Sequence, residues 1–553
     1  MKKTYILLAA VALLLSSCGK DFLNTFPTSS VDENSIFTST ENSMMAINGI
    51  HRMMHEGNGS GTTTGYYGQG GYPTFCLHLA IMSDDVVWTY DNVMYKYSAQ
   101  WIHHRNLTHN YNDLNYYWKL FYRIANNSNK VIEAVNGGIP GPVQYGYYSK
   151  GQAYAYRAFA FFNLVQCWAK RYDPAGNNTQ PGIILKLTTA QEGLPRSTVE
   201  ETYAQILSDL DSAIVNLDKV TLPKTNKSHI DKYVARALKA RVYLVMGQWQ
   251  KAAETAEEVI TKSGAKLQAD TYTTVVNRSS DANNTEWLWG LVAMADGTQG
   301  GALRSWHNFI SNNNTSYNRN TQRAIYNLLY NTIPDSDVRK GLWVPDPYSA
   351  SVLYIPSNKA ARKAPWMSQK WIIDDNVTQN TYRDVAYIRL PEMYLIAAEG
   401  YARAGVNDKA QSYLYTLAHH RDPEYVKSTK TGAELADEAV WQRRVELWAE
   451  NGLRWFDLKR LDIALDRGPK PRAGYNQGGT ANGWATSSKK APWNDKKYDP
   501  IDPLASNYNM YAEQMPGEAA RYIGKPSVDI RWQWLIPYNE INSNPLCEQN
   551  PMD

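Results

Sequence analysis

Apolar side chains recur every three to four residues in several stretches of this chain, and in two stretches the pattern repeats. From Ala237 to Ile260 the sequence reads ALKARVYLVMGQWQKAAETAEEVI. Val234, Leu238, Val242 and Val245 share one face of a helix that starts a little before Ala237, and Gly247 breaks it. Ala252, Ala256, Val259 and Ile260 share a face of the next helix. From Tyr394 to Ala418 the sequence reads YLIAAEGYARAGVNDKAQSYLYTLA, with Gly405 as the break and Ala410, Leu414, Leu417 and Ala418 at matching offsets. Small residues at the turn let two antiparallel helices approach closely, so each copy predicts a helical hairpin.

Other helices are less regular. Asp113 to Val135 places Trp118, Phe121, Ile124, Ala125, Val131, Ile132 and Val135 at helical spacing, and Gly151 to Trp168 follows as its partner through Ala153, Tyr156, Ala160 and Leu164. Thr198 to Leu217 predicts another helix with Tyr203, Ile206, Leu207, Leu210, Ile214 and Leu217 on its face. Ser197 and Glu200 read as its capping box. Each hairpin leaves an apolar face that only a neighbour covers, so the units stack. The clear hairpins resemble the tetratricopeptide repeat.

Between the two clear copies the pattern changes. Tyr272 to Arg383 is rich in Asn, Thr, Trp and Tyr with weak helical periodicity, and Gly474 to Asn509 has a similar character. Trp287 and Trp289 sit in EWLWGLV, which reads as a buried strand. The expected fold is mainly α, a tetratricopeptide-like helical-hairpin scaffold with an irregular, loop-rich lobe. The expected division is a signal peptide at 1–17 and one domain at 18–553. Within that domain lie a helical part to about 270, a loop-rich ligand-binding part at about 271–383 and a C-terminal part at about 384–553.

The N-terminus stands apart. Lys2 and Lys3 precede an unbroken apolar run from Tyr5 to Leu15, shorter than the roughly 20 residues that span a bilayer. Small Ser16 and Ser17 then lead to Cys18, which is the layout of a secretory signal peptide. Leu15-Ser16-Ser17-Cys18 also resembles the lipobox of bacterial lipoproteins. That resemblance implies cleavage before Cys18 and diacylglyceryl attachment to its thiol, and two acyl chains suffice for stable anchoring.

Composition narrows the function. A net charge of +4 over 553 residues gives no basis for nucleic-acid binding. Cys76, Cys167 and Cys547 are an odd set and cannot form a complete disulfide framework. The chain holds 39 Tyr and 18 Trp against 10 Phe, which suits surfaces that are both wet and adhesive as well as helical packing.

No catalytic constellation stands out. Gly57 to Gly71 is glycine-rich but has no Gly-Lys-Ser/Thr. His51 and His55, four apart on a helix, lack the His-Glu-x-x-His order of zincins and read as a surface pair. Asp84 and Asp85 are adjacent, whereas a glycosidase pair is defined by separation in space. Arg444, Glu446, Glu450, Arg454, Asp457 and Arg460 read as scaffold, with Asp457 and Arg460 a helical ion pair and the like-charged Glu446 and Glu450 needing a nearby Arg. No metal or cofactor is expected, and the chain reads as a binding protein rather than an enzyme.

Several segments together resemble the SusD/RagB family of Bacteroidetes surface lipoproteins. They are CGKDFL from Cys18, WKLFYRIANNSNKVIEAV from Trp118, AYAYRAFAFFNLVQCW from Ala153, RLPEMYL from Arg389 with Ala398-Glu399, RVELWAENGLRWFDLKR from Arg444, and the C-terminal LIPYNEINSNPLCEQNP. The resemblance covers nearly the whole chain in the family's order. It departs at Asn451, which separates Glu450 from Gly452, and at Gln442, where an acidic residue is common. It implies a SusD-like fold in an outer-membrane, lipid-anchored, surface-exposed protein that captures oligosaccharide and delivers it to a SusC-like TonB-dependent transporter. The repeat surface would face that barrel. Flat aromatic rings suit sugar faces, and amides and carboxylates suit hydroxyls. Trp88 and Tyr90, two apart on an extended stretch, share a side, with Asp85 and Asn92 as polar neighbours. Their position and that of Trp306 are similar to regions that supply stacking aromatics in glycan-binding members. Ordinary packing is the alternative for each residue. Peptide uptake, a surface glycoside hydrolase and a repeat adaptor are the alternatives for the whole.

Overall fold

The computed structural model describes residues 36–55, 69–88, 98, 101, 112–268, 282–293, 307, 310, 323–345, 366–371, 384–468 and 522–552. The N-terminal half is helical. After α1 (Thr40–Met53) and α2 (Tyr72–Met82) comes a short strand, β1 (Val86–Trp88). The long pair α3 (Asn112–Asn136) and α4 (Val143–Trp168) follows, then α5 (Val199–Leu217) and the hairpin α6 (Lys232–Val245) with α7 (Trp249–Lys262). α4 packs between α3 and α5.

The local chemistry explains where these helices begin and end. α3 buries the expected face through Trp118, Phe121, Ile124, Ala125, Val131 and Ile132. α4 begins at Val143 rather than near Gly151. Its first turns carry no apolar stripe, because Val143 is 59% exposed while Gly146 is pressed against Thr40. The cap of α5 is also displaced. Thr198 Oγ1 accepts from the Glu201 amide at 3.1 Å, and Glu201 Oε2 accepts from the Thr198 amide at 2.8 Å. Ser197 is not the cap because its backbone is committed to an extended exchange with Gly182 and Ile183. The α6–α7 turn requires glycine: Gly247 has φ +69°, and a Cβ there would lie 2.6 Å from Pro174.

The irregular middle is anchored by strands. β2 (Trp287–Leu291) is buried at all five positions, as EWLWGLV implied. Next come β3 (Arg323–Ile325), the single-turn α8 (Asn327–Tyr330), β4 (Trp343–Val344), β5 (Met367–Ser368) and β6 (Val385–Arg389). β1, β3, β5 and β4 form one antiparallel sheet in that order, and β2 pairs with β6. The second hairpin is α9 (Leu390–Arg403) and α10 (Asn407–Arg421), turned at Gly405 with φ +82°. α9 packs on α7, α10 and α11 (Gly432–Glu446). α12 (Leu453–Arg460), β7 (Leu465–Asp466), β8 (Tyr522–Ile523) and α13 (Tyr538–Ser543) complete the described chain. Mainly helical architecture with two helical hairpins is what the periodicity predicted.

The last carbonyls of α4 hold the C-terminal segment. The Trp534 amide donates to Cys167 O at 2.9 Å, and Asn550 Nδ2 donates to Trp168 O at 2.6 Å. The buried ammonium of Lys459 spends its donors on Gln166 O, Ala169 O and Trp532 O. A helix end has orphan carbonyls, and these side chains satisfy them.

The displaced cap gives a direct test. Thr198→Ala should cost about 1 kcal/mol in urea unfolding, whereas Ser197→Ala should stay within about 0.5 kcal/mol. Equal losses from both substitutions would contradict the assignment.

Candidate functional site

β1 is the element that links the helical body to the candidate ligand segment. It leaves α2 through Ser83, Asp84 and Asp85 and forms the edge of the four-stranded sheet, with Trp88 opposite Arg323. Two arginines from the far end of the chain pin it. Arg454 grips Asp84 bidentately at 2.7 and 2.8 Å, and Arg444 Nη2 donates to Asp85 Oδ1 at 2.5 Å. The Trp448 indole and the Tyr326 amide both donate to Asp85 O, at 2.8 and 3.0 Å. Burial pushes the Asp84 carboxyl up, but Arg454 and Arg444 overcome it and hold it well below the usual carboxylate range. Burial raises Asp85, with Arg444 opposing.

The structure therefore places Asp85 inward, its carboxylate engaged by Arg444, and places Trp88 at the end of the strand leading to Tyr90 and Asn92. Tyr90, Asn92, Trp306 and Cys18 lie outside the described residues. The adjacent carboxylates Asp84 and Asp85 are both used in ion pairs.

Beneath β1 lies a buried network of charge. Arg389, the last residue of β6, reaches both like-charged partners on the α11 side. Its Nε and Nη2 donate to Glu450 at 2.9 and 2.7 Å, and its Nη1 donates to Glu446 at 3.2 Å and to Glu286 at 3.0 Å. Arg421 bridges Glu286 at 2.8 Å and Glu446 at 3.2 Å. Arg339 contacts Glu446, Asp337 and Gln442, and Lys370 meets Glu450 at 2.6 Å. Burial alone would raise Glu446, yet Arg421, Arg389 and Arg339 hold it far below its ordinary value; Glu450 is lowered by Arg389 and Lys370 against the same penalty. The arginine that the pair required is Arg389. Gln442 fits because its carbonyl oxygen accepts from Arg339 at 2.6 Å.

A second network clamps the hairpins to α12. Arg460 donates to Asp457 at 2.7 Å and to Glu399 at 2.6 and 2.8 Å. Arg443 joins Asp457 at 2.9 Å to Glu392 at 3.3 Å, and Glu392 also accepts from Arg241. Between the networks the chain turns sharply, with left-handed φ at Ala449, Asn451 and Gly452. Asparagine tolerates that region, so Asn451 keeps the turn. Gly452 is required, because a Cβ there would lie 2.6 Å from Leu79 of α2.

The histidine pair corrects the sequence reading. His51 and His55 are buried rather than on the surface. α4 covers His51, whose Nδ1 lies 3.3 Å from the Tyr156 hydroxyl, and burial pushes the His51 pKa well down. Among the described residues no group of three or more His, Cys, Asp or Glu is arranged for a metal, and Cys76, Cys167 and Cys547 are free and buried.

The central network carries two predictions. Arg389→Met removes the cation shared by three buried carboxylates, leaving Arg421, Arg339 and Lys370 to offset them, and should cost about 3 kcal/mol in chemical denaturation; a loss under about 1 kcal/mol would refute the central role. Glu446, Glu450, Asp84 and Asp457 all have lowered folded-state pKa values, so the unfolded chain binds more protons in acid. Their stabilisation is complete above the ordinary values of 4.5 and 3.8 and is lost progressively as pH falls below them toward the lowered folded-state values. Melting temperatures between about pH 6 and about pH 3 should fall steeply for the natural chain and less steeply for Glu446→Gln/Glu450→Gln. Identical slopes would rule out the network as the source of acid sensitivity.

Comparison with known proteins gives a consistent picture. Residues 78–244 match a family model described as starch-binding associating with outer membrane, and residues 282–552 match one described as SusD family. A SusD-like protein of Formosa agariphila is 24% identical over 396 residues, spanning 63% of this chain and 70% of that protein. A SusD superfamily protein from Bacteroides thetaiotaomicron shares the fold with a TM-score of 0.68 at 22% identity, covering 93% of this chain and 100% of that one. Surface glycan-binding protein A from the same organism, in complex with laminarihexaose, does so with a TM-score of 0.63 at 16% identity, covering 93% and 100%. With the buried arginine–carboxylate scaffold, the helical hairpins and two family models matching in chain order, this chain belongs to the SusD/RagB family.

Proposed function

We propose that this protein is a cell-surface glycan-binding lipoprotein. It is held to the outer membrane through lipid on Cys18, captures oligosaccharide and passes it to a SusC-like TonB-dependent transporter. The observation that carries the ligand assignment is the pinned edge strand β1. Arg444 and Arg454 fix the backbone at Asp84 and Asp85, so Trp88 and the segment bearing Tyr90 and Asn92 start from a rigid support. Rigid support matters because a site on secondary structure holds its geometry better than one on a free loop.

In this reading Asp85 contributes by positioning, since Arg444 already occupies its carboxylate. Trp88, Tyr90 and Trp306 offer rings to sugar faces, and Asn92 offers an amide to a hydroxyl. Trp306, from the loop-rich part at about 271–383, is the further aromatic that this reading assigns to the ligand. The family description names starch binding, and a neighbour of the same fold holds laminarihexaose, which supports a polysaccharide fragment as ligand. Nothing in the arrangement of Asp84 and Asp85 supports hydrolysis, because both carboxylates are consumed by arginine.

Glycan-array binding by the chain from Cys18 onward tests the assignment. Trp88→Ala and Trp306→Ala should each weaken binding about tenfold, the equivalent of ~1.4 kcal/mol. Undiminished binding in both variants would sink the site. Peptide binding without glycan binding would replace the ligand class.

A further inference from the structure

The histidine pair at the end of α1 has no part in the candidate site. His51, in the last turn of the helix, and His55, just beyond it, are both buried, with ring centroids 5.8 Å apart. His51 Nδ1 meets the Tyr156 hydroxyl, and its Nε2 has no hydrogen-bond partner. A neutral imidazole carries one N–H, whereas a charged one carries two and needs an acceptor for each. The seat of His51 therefore suits the neutral ring, and a second buried N–H would face no acceptor.

A charged ring would also find no free carboxylate among the described residues. α4, which covers His51, contains neither Asp nor Glu, and nor do α2, β2 and β6. These elements present Tyr156 and Tyr387 to the ring, with Tyr72 and Trp289 behind Tyr387. The acids on the other elements nearby are committed. Asp113 and Glu133 of α3 accept from Gln69 and Thr189. Asp231 caps α6 through the Tyr233 and Val234 amides and pairs with Lys224 at 3.2 Å. Glu392 holds Arg241 behind Tyr387. Glu41 stands at the opposite end of α1. The remaining titratable neighbours carry positive charge or gain it in acid: Arg52, Lys227, His55 and His229, whose Nε2 lies 3.1 Å from Asn48 Oδ1.

Burial, followed by His55 and His229, pushes the His51 pKa well below its ordinary 6.5, and burial with Lys224 pushes His229 down as well. The opened segment then binds more protons than the docked one. Docking is at full strength above about pH 6.5 and weakens as pH falls below it, by up to about tenfold per pH unit for each histidine. The buried carboxylates respond only below their ordinary values of 4.5 and 3.8, so the two acid responses separate.

The contacts at this end are of a kind that opens locally. No ion pair between described residues joins α1 to α4. Their polar seam consists of the Ser43 and Ser149 hydroxyls at 2.7 Å, Gln152 against the Met44 sulfur, and His51 against Tyr156. Beyond the helix, Met54 O accepts from the Tyr72 amide at 2.5 Å, which joins the end of α1 to the start of α2. Gly71 makes that join close, because a Cβ there would overlap Met54 O. The other end of α2 leads through Ser83 to Asp84 and Asp85.

We propose that residues 50–55 form an acid-sensitive latch: protonation of the histidine pair frees the end of α1 from α4 and from the start of α2, while the arginine–carboxylate networks stay closed. Hydrogen–deuterium exchange of the natural chain reads the latch and the networks separately. Between about pH 7 and about pH 5.5 the protection factors of the Ile50–Met54 amides should fall about tenfold, while those of α9 hold. His51→Phe keeps a neutral ring in the seat and should remove most of the fall. His51→Gln is smaller and also uncharged, and should do the same where the Phe variant folds poorly. Protection of Ile50–Met54 that does not change with pH overturns the proposal. So does an equal fall in α9, which would mark a global acid response, or an undiminished fall in both variants.

Discussion

Arg389 is the residue on which the rest of the structure depends. Glu446, at the end of α11, and Glu450, in the turn that follows it, both lie in the interior, where two like charges repel strongly and each has lost its water. Arg389 lies between them and also reaches Glu286. With Arg421, Arg339 and Lys370 it turns three costly carboxylates into a mutually compensated group. Such a group is weak evidence for net stability, but removing one member leaves charge stranded. It is strong evidence for register. Glu286 precedes β2, Arg389 ends β6, Arg339 and Lys370 come from the irregular middle, and Glu446 ends α11. The network fits together in one arrangement, so strands too short to specify themselves are set by charge pairing.

The same logic extends outward in steps. The turn at Ala449–Gly452 joins the interior network to α12, and α12 carries Arg454 to Asp84. α11 carries Arg444 to Asp85 from the other side. A strand of three residues at a sheet edge is thus held at its base by two arginines whose own helices are fixed by deeper ion pairs. The path from core charge to candidate ligand segment is continuous and short.

Much of this was legible in the sequence where burial is one-sided. The hairpins at Gly247 and Gly405 have periodic faces, and EWLWGLV is apolar throughout. The start of α4 was not legible, because its first turns bury Gly146, Tyr148 and Ser149 rather than an aliphatic stripe. The cap of α5 moved by one residue because Ser197 is held in an extended bridge, a constraint set by the distant Gly182 and Ile183. The helical spacing of His51 and His55 was visible, but not their burial. The ion pair Asp457–Arg460 is local and could be read. Arg389 with Glu446 is not, since 57 residues separate them and no periodicity links a strand end to a helix end. For the candidate site, the sequence identified the β1 stretch by its aromatics, yet the inward turn of Asp85 depends on an arginine 359 residues away.

The C-terminal bonds to α4 bear on the order of assembly. Asn550 closes on Trp168 across 382 residues, and Trp534 closes on Cys167 from the same stretch. The longest described helix therefore finds one partner for Trp168 O early, in Arg196, but the full set of partners for its last carbonyls only when almost the whole chain exists. Until then no early portion possesses the finished core. The helical half thus stays unlocked at this end and closes once the final residues arrive.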